Sequence, residues 1–268
     1  MNHINIIPTG GLCNRMRAIA SGIFLAKSLN LPTTIYWNNC HGLKANFGDL
    51  FKPIAHKDID IIENKSWKYN IKGKKDYYLR WFLLHHKNNV IFNCNQLIGD
   101  NIFKKINSCK HNELILISCY PICNMEKIDN LFIPTDEITE KMNNITSEFS
   151  SHTIGIHIRR TDNLDAIKNS PTELFINIME NEIKKDYHTN FYLATDDPEI
   201  KNKIKDKFKN RIITYNKMVD RDSLEGMKDA VVELYALSKT KKIIGSYASS
   251  FSQTAALIGN TEYYQAKK

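Results

Sequence analysis

The stretch Thr153-Ile154-Gly155-Ile156-His157-Ile158-Arg159-Arg160-Thr161-Asp162 constrains this chain more than any other. Ile154, Ile156 and Ile158 alternate with Gly155, His157 and Arg159, the period of a strand whose two faces do different work. The strand delivers a histidine, two arginines and an aspartate to one point at its C-terminal end. Two adjacent guanidiniums repel each other unless an anion or an acid meets them. The planar five-donor fork of arginine suits phosphate oxygens closely. Bound phosphate is therefore the reading of this tip, with surface arginines bridged to Asp162 as the alternative.

The rest of the chain alternates strands and helices around that tip. Residues 5–8 read as a strand, Gly10-Gly11 as a turn, residues 16–29 as a helix closed by Pro32, and residues 33–37 as a second strand. Residues 38–110 are aromatic and polar, with Trp67, Tyr69, Tyr77, Tyr78, Trp81 and Phe82, and read only as irregular helices. Residues 114–119 form another strand. After the strand 153–159 and a loop come a helix at 171–185 and a strand at 191–195. Asp196-Asp197-Pro198 then offers an aspartate cap and a first-turn proline for a new helix. Strands at 211–215 and 242–246, and helices at 228–239 and 251–258, complete the chain, the last helix capped by Ser249 or Ser250 and ended by Gly259. This alternation predicts an α/β protein with two mostly parallel, doubly wound layers, residues 1–148 and 149–268.

Length and composition set limits on the alternatives. The chain has 268 residues, 42% hydrophobic and 25% charged, enough for two ordinary cores. Its net charge of +8 is spread in short groups such as Lys239-Thr240-Lys241-Lys242, and no zinc-finger spacing or nucleic-acid motif accompanies it. We expect no nucleic-acid partner. A basic surface favours phosphate-bearing ligands or peripheral contact with the inner membrane face. The six cysteines form no Cys-x-x-Cys pair, nothing after Met1 resembles a signal peptide, and no apolar run reaches membrane-spanning length. The expectation is free thiols and a cytoplasmic protein. The P-loop, Asp-x-Asp and Gly-x-Ser-x-Gly motifs are all missing, which argues against a P-loop NTPase, a metal-dependent GT-A transferase and an α/β-hydrolase.

In doubly wound sheets, ligands collect at the C-terminal strand ends. Three features meet that condition here: His157 with Arg159 and Arg160, Thr195-Asp196-Asp197, and the small polar turn Ser246-Tyr247-Ala248-Ser249-Ser250 leading into a helix. A helix N-terminus is a second phosphate cradle, and a diphosphate between it and an arginine becomes a good leaving group. Read alone, the serine turn is an ordinary capped helix, Glu233 an exposed helix residue and His157 a satisfied core histidine. The Gly10-Gly11 turn, followed by Leu12-Cys13-Asn14-Arg15, is not a dinucleotide fingerprint, but it lets backbone approach a ligand closely.

Taken in order, four segments resemble one family. His157-Ile158-Arg159-Arg160-Thr161-Asp162, Tyr192-Leu193-Ala194-Thr195-Asp196-Asp197-Pro198, Glu233-Leu234-Tyr235-Ala236-Leu237-Ser238 and Ser246-Tyr247-Ala248-Ser249-Ser250-Phe251 are similar to the GDP-fucose-binding half of α-1,6-fucosyltransferases of the NodZ type. The α-1,2- and protein O-fucosyltransferases are related to these. The resemblance covers about residues 150–260, and the Gly10-Gly11-Leu12-Cys13-Asn14-Arg15 turn is similar to the family's opening loop.

The resemblance implies a GT-B-like architecture of two Rossmann-like domains facing a cleft, with no required metal, and an inverting transfer of L-fucose from GDP-fucose to a glycan such as a bacterial surface polysaccharide unit. It implies that Arg159 stabilises the departing β-phosphate, that Arg160 shapes the site, and that His157 borders the nucleotide. It places Glu233 at a guanine-binding position and Ser249, Ser250 and Phe251 along the phosphate and base pocket, with Asp196, Gly10, Gly11, Asn14 and Arg15 also at the nucleotide. The family's base is a glutamate beyond the double arginine. Here Asp165 is the nearest carboxylate, and Asp162 the next candidate. A GT-B enzyme for another nucleotide sugar, and a non-catalytic nucleotide-binding protein, stay open as alternatives.

Overall fold

The computed structural model describes residues 1–40, 42–63, 89–93, 99, 101–161, 163–217 and 220–268. They form two compact units, Met1–Ile133 with Arg221–Leu224, and Pro134–Asp220 with Glu225–Lys268. Each is built on a five-stranded sheet whose described pairings are all parallel.

In the first unit, β1 (His3–Pro8), β2 (Thr33–Trp37), β3 (Ile59–Glu63), β4 (Asn89–Asn93) and β5 (Glu113–Ser118) lie in the order β3-β2-β1-β5-β4. The helix Leu12–Ser28 follows β1 and buries Met16, Ile19 and Ile23 at the spacing the sequence suggests. On one face of the sheet Ile7, Ile115 and Ile117 pack with Tyr36 and Val90.

In the second unit, β6 (Thr153–Ile158), β7 (Asn190–Thr195), β8 (Ile212–Ile213), β9 (Lys242–Ser246) and β10 (Glu262–Ala266) lie in the order β10-β9-β6-β7-β8. β6 is central and wholly buried. Ile154, Ile156 and Ile158 join Phe175, Met179, Phe191, Leu193, Ile204 and Ile244 in one apolar cluster. Each such side chain contributes about 1.5–3 kcal/mol on leaving water. The other face of β6 carries Gly155. A Cβ there would stand 2.6 Å from Leu237 Cδ1 and 2.7 Å from Thr240 Oγ1, so the bare backbone is what lets the helix Leu224–Ser238 lie against the strand.

Several expectations change. The region read as irregular helices contains strands β3 and β4 besides the helices Phe47–Leu50 and Asn101–Asn107. Its aromatic residues Trp67, Tyr69, Tyr77, Tyr78, Trp81 and Phe82 lie outside the described residues. The loop after β6 contains a short helix, Leu164–Asn169, and the helix Asp136–Thr146 and strand β10 were not anticipated. The helix Ser250–Gly259 ends on Asn260, which takes the left-handed conformation (φ 47°) expected of a terminal glycine. Among the described residues, Cys13, Cys40, Cys109, Cys119 and Cys123 stand outside any disulfide, and no helix is long and apolar enough to cross a membrane.

Candidate functional site

From β6 the chain moves outward to β7 and β8, then returns past β6 to β9 and β10. The order therefore reverses between β6 and β9, the position at which doubly wound sheets bind ligands, at the C-terminal strand ends. The residues that end β6 and β9 are the ones the sequence singles out.

Parallel pairing sets Ile158 opposite Thr195, so the next step brings Arg159 and Asp196 side by side. Arg159 Nη1 and Asp196 Oδ2 form an ion pair at 2.5 Å, and their side chains are only 12% and 13% exposed. Asp196 also accepts the Arg160 amide at 2.8 Å and the Thr161 hydroxyl at 2.8 Å. Burial works to raise its carboxyl, but Arg159, the Thr161 hydroxyl and the Arg160 amide outweigh it and hold the group below the usual carboxylate range. The carboxylate is thus charged and holds the guanidinium at the strand tip.

Arg160 turns elsewhere. It donates to the Arg159 carbonyl at 2.7 Å, the Ser170 carbonyl at 2.9 Å and Thr172 Oγ1 at 3.0 Å. Burial lowers its pKa, with Asp196 opposing. It braces the segment after the tip. Among the described residues Asp196, just after β7, is an ion-pair partner of Arg159; Asp162, named earlier for Arg160 or for catalysis, lies outside the described residues. Asp197 caps the helix Pro198–Phe208 as expected, accepting the Glu199 and Ile200 amides at 2.9 and 3.2 Å.

The serine turn is tied to the same tip. Ser246 Oγ accepts the Arg159 amide at 3.0 Å. Ser249 occupies the cap position of the helix Ser250–Gly259, but its hydroxyl turns away from the helix to His157 Nδ1 at 3.4 Å. The buried His157 ring stacks on Phe251, centroids 4.9 Å apart. The first amides of that helix are therefore not capped by the Ser249 side chain, leaving an N-terminal group of donors suited to an anion.

Glu233 is buried, 3% exposed, in the helix Leu224–Ser238, not on its solvent face. Burial pushes its carboxyl up to about 8; Lys201 opposes the rise, and Asp229 and Asp196 add to it. Among the described residues its Oε1 has no hydrogen-bond partner, and the fully buried Tyr192 hydroxyl has none either. A buried carboxyl with an unpaired oxygen is costly and suggests a group prepared for a donor. One helical turn earlier, Asp229 accepts the Tyr215 hydroxyl at 2.7 Å. Sequence reading overlooked Asp229, Tyr192 and Lys201; the i, i+4 spacing of Asp229 and Glu233 on one helix face was the available signal. A cavity of about 330 Å³ nearby is lined by Lys141, Ile145, Thr214, Tyr215 and Lys217 among others, and by none of the arginine cluster.

Asp165 sits exposed in the first turn of the helix Leu164–Asn169, and its described hydrogen bond is through its carbonyl to Asn169. In the first unit, Gly10 has φ 80°, and a Cβ there would meet Asn14 Nδ2 at 3.1 Å and Cys119 Cβ at 3.4 Å. Gly11 precedes the helix Leu12–Ser28 with open space beside it. Asn14 accepts from Arg17 Nη2 at 3.1 Å. Arg15, expected at the nucleotide, is 3% exposed and turned inward. It donates to the carbonyls of Gly10 and Asn38 at 2.8 Å each and to Cys40 Sγ at 2.9 Å, under the ring of Trp37. In this structure it locks the glycine turn to the end of β2.

No family model matches the chain, and no curated protein matches it significantly. Solved structures do. A NodZ α-1,6-fucosyltransferase co-crystallised with GDP matches with a TM-score of 0.64 at 17% identity, over 96% of this chain and 93% of that one. A variant of FUT1 from Arabidopsis thaliana in complex with GDP matches at 0.65 and 13% identity, over 98% of this chain and 70% of that one. POFUT1 in complex with GDP matches at 0.57 and 12% identity, over 99% and 98%. The chain thus shares its fold with these three proteins.

Proposed function

We propose that this chain is a glycosyltransferase that moves L-fucose from GDP-fucose to a glycan acceptor, with inversion and without a metal ion, in a GT-B-like fold. The second unit binds the donor and the first serves the acceptor. The observation that carries this reading is the Arg159–Asp196 pair at the point where the strand order reverses between β6 and β9, beside the helix N-terminus that follows Ser249. The fold shared with GDP-bound fucosyltransferases supports the choice of nucleotide.

In this scheme the acceptor hydroxyl oxygen bonds to the anomeric carbon while the bond from that carbon to the β-phosphate oxygen breaks. The bonding pair leaves with the phosphate, and the acceptor proton passes to a carboxylate, Asp165 first and Asp162 second. The Arg159 guanidinium and the amides at Ser250 and Phe251 offset the charge that grows on the diphosphate, each such donor accounting for about 10²–10³ in rate. His157 and Phe251 form an aromatic wall beside the nucleotide. Glu233, once ionised, accepts the N1 and N2 hydrogens of guanine.

The test is turnover of GDP-fucose by the purified protein with EDTA present, followed as GDP release with and without a mixture of glycans. Acceptor-dependent release that Arg159→Ala abolishes, in a variant with unchanged circular dichroism, supports the proposal. Turnover of a different nucleotide sugar in preference, or wild-type rates in Arg159→Ala, refutes it.

A further inference from the structure

One buried residue joins the pieces of this site through its hydroxyl, carbonyl and amide, and the chemistry above does not use it. Ser170 is fully buried. Its Oγ accepts the Tyr247 amide at 2.8 Å and donates to the Ala266 carbonyl at the end of β10. Its carbonyl accepts Arg160 Nη2 at 2.9 Å, and its amide donates to the Ala166 carbonyl, closing the helix Leu164–Asn169. A single residue thereby links the tip of β6, the short helix bearing Asp165, the turn after β9 and the last strand.

The turn it holds is an unusual one. Ala248 has φ 52°, a left-handed conformation that disfavours any side chain and persists where its surroundings fix it. The flanking residues are pinned at successive points: Ser246 to the Arg159 amide, Tyr247 to Ser170, and Ser249 to His157. Two of these anchors come from β6 and its tip. The third, Ser170, also holds Arg160. Backbone donors serve an anion best when they stand in place before it arrives, and a misplacement of about 1 Å can cost about 10²-fold.

We infer that Ser170 is a positioning residue for phosphate recognition. Its hydroxyl holds the Tyr247 amide while its carbonyl receives Arg160, so the hydroxyl keeps the serine turn in register with an arginine tip held by the same residue, and both meet one diphosphate. This rests on the reading that the nucleotide diphosphate binds at these strand ends.

The experiment measures affinity for GDP by calorimetry, and for guanosine by competition, in wild type, Ser170→Ala and Ser170→Cys. Guanosine lacks phosphate, so a general loss of folded structure would weaken both ligands alike. Ser170→Ala is expected to weaken GDP about tenfold or more and leave guanosine within twofold. Ser170→Cys keeps the volume but offers the Tyr247 amide a weak acceptor, and should weaken GDP about threefold to fivefold; it carries the test where the alanine variant does not fold. Equal effects on both ligands, or wild-type GDP affinity in either variant, overturn the inference. A wild-type protein that binds no GDP overturns the reading of these strand ends and this inference with it.

Discussion

Replacing Glu233 with glutamine separates the cost of burying this carboxyl from its shape. In the unfolded chain the group titrates near its ordinary 4.5, and in the folded protein burial pushes it up to about 8. A carboxyl raised on folding favours the protonated native state. Its favourable contribution is complete below pH 4.5 and is lost as pH climbs through the folded value, because the ionised form sits in a place that resists charge. At 1.36 kcal/mol for each pH unit between the two values, the upper limit is about 5 kcal/mol, and we expect about 2–5 kcal/mol between pH 5 and pH 9. Lys201 works against the rise, while Asp229 and Asp196 sustain it. Glutamine fills the same space without titrating, so the loss should vanish in Glu233→Gln. Urea unfolding of both proteins at intervals from pH 5 to pH 9 measures this, and taking the difference cancels every other titrating group. The difference should be small at pH 5 and grow in favour of the variant as pH rises. Parallel curves, separated by the same amount at every pH within about 0.5 kcal/mol, would refute the reasoning. In the proposed donor site guanine needs the ionised Glu233 carboxylate, so that proposal predicts that GDP affinity in wild type rises from pH 6 to pH 8, by at most about tenfold per pH unit.

Other consequences follow from the same geometry. Arg159→Lys keeps the charge and loses the fork, and GDP-fucose turnover should fall about 10²–10³-fold with the fold intact by circular dichroism; turnover within threefold of wild type would show that a point charge suffices. Asp196→Asn removes one negative charge from beside a mostly buried guanidinium, so the free protein should lose about 1–3 kcal/mol in urea unfolding. GDP can supply the missing charge, so its stabilising shift in thermal denaturation should exceed that of wild type, and a smaller shift would count against the anchored-arginine account. Gly155→Val would push into Leu237 and into Thr240 Oγ1, which is already bonded to the Leu237 carbonyl at 2.8 Å. We expect a loss of about 1–3 kcal/mol in denaturant unfolding, and an unchanged midpoint would show that the helix Leu224–Ser238 yields freely.

The second unit was the more legible half because its strands are short apolar runs between unambiguous turns. The alternation Ile154, Ile156, Ile158 predicts one packed face, and those residues do pack together. Strand β10 escaped because it is an edge strand, Glu262-Tyr263-Tyr264-Gln265-Ala266, whose polar and aromatic residues carry little of the apolar signal. β3, five residues including Asp60 and ending in Glu63, was hidden for a similar reason. At the site, residue type identified the arginine tip but not its partners. Among the described residues, an acid that pairs with Arg159, Asp196, arrives from the neighbouring strand through the register of Ile158 with Thr195. Reading the two strand ends as parallel neighbours would have paired Arg159 with Asp196. Arg15 shows the opposite limit: its partners Asn38 and Cys40 lie past the next strand, and nothing local marks an inward-turned arginine. The inward placement of Glu233 likewise depends on how its helix packs.

The measurement that bears most directly on the central claim is calorimetric titration of the purified protein, with EDTA present, against GDP, UDP, ADP and CMP. The account predicts selective binding of GDP, lost in Arg159→Ala and weakened in Glu233→Gln. Preference for another nucleotide, or no binding of any, would contradict it.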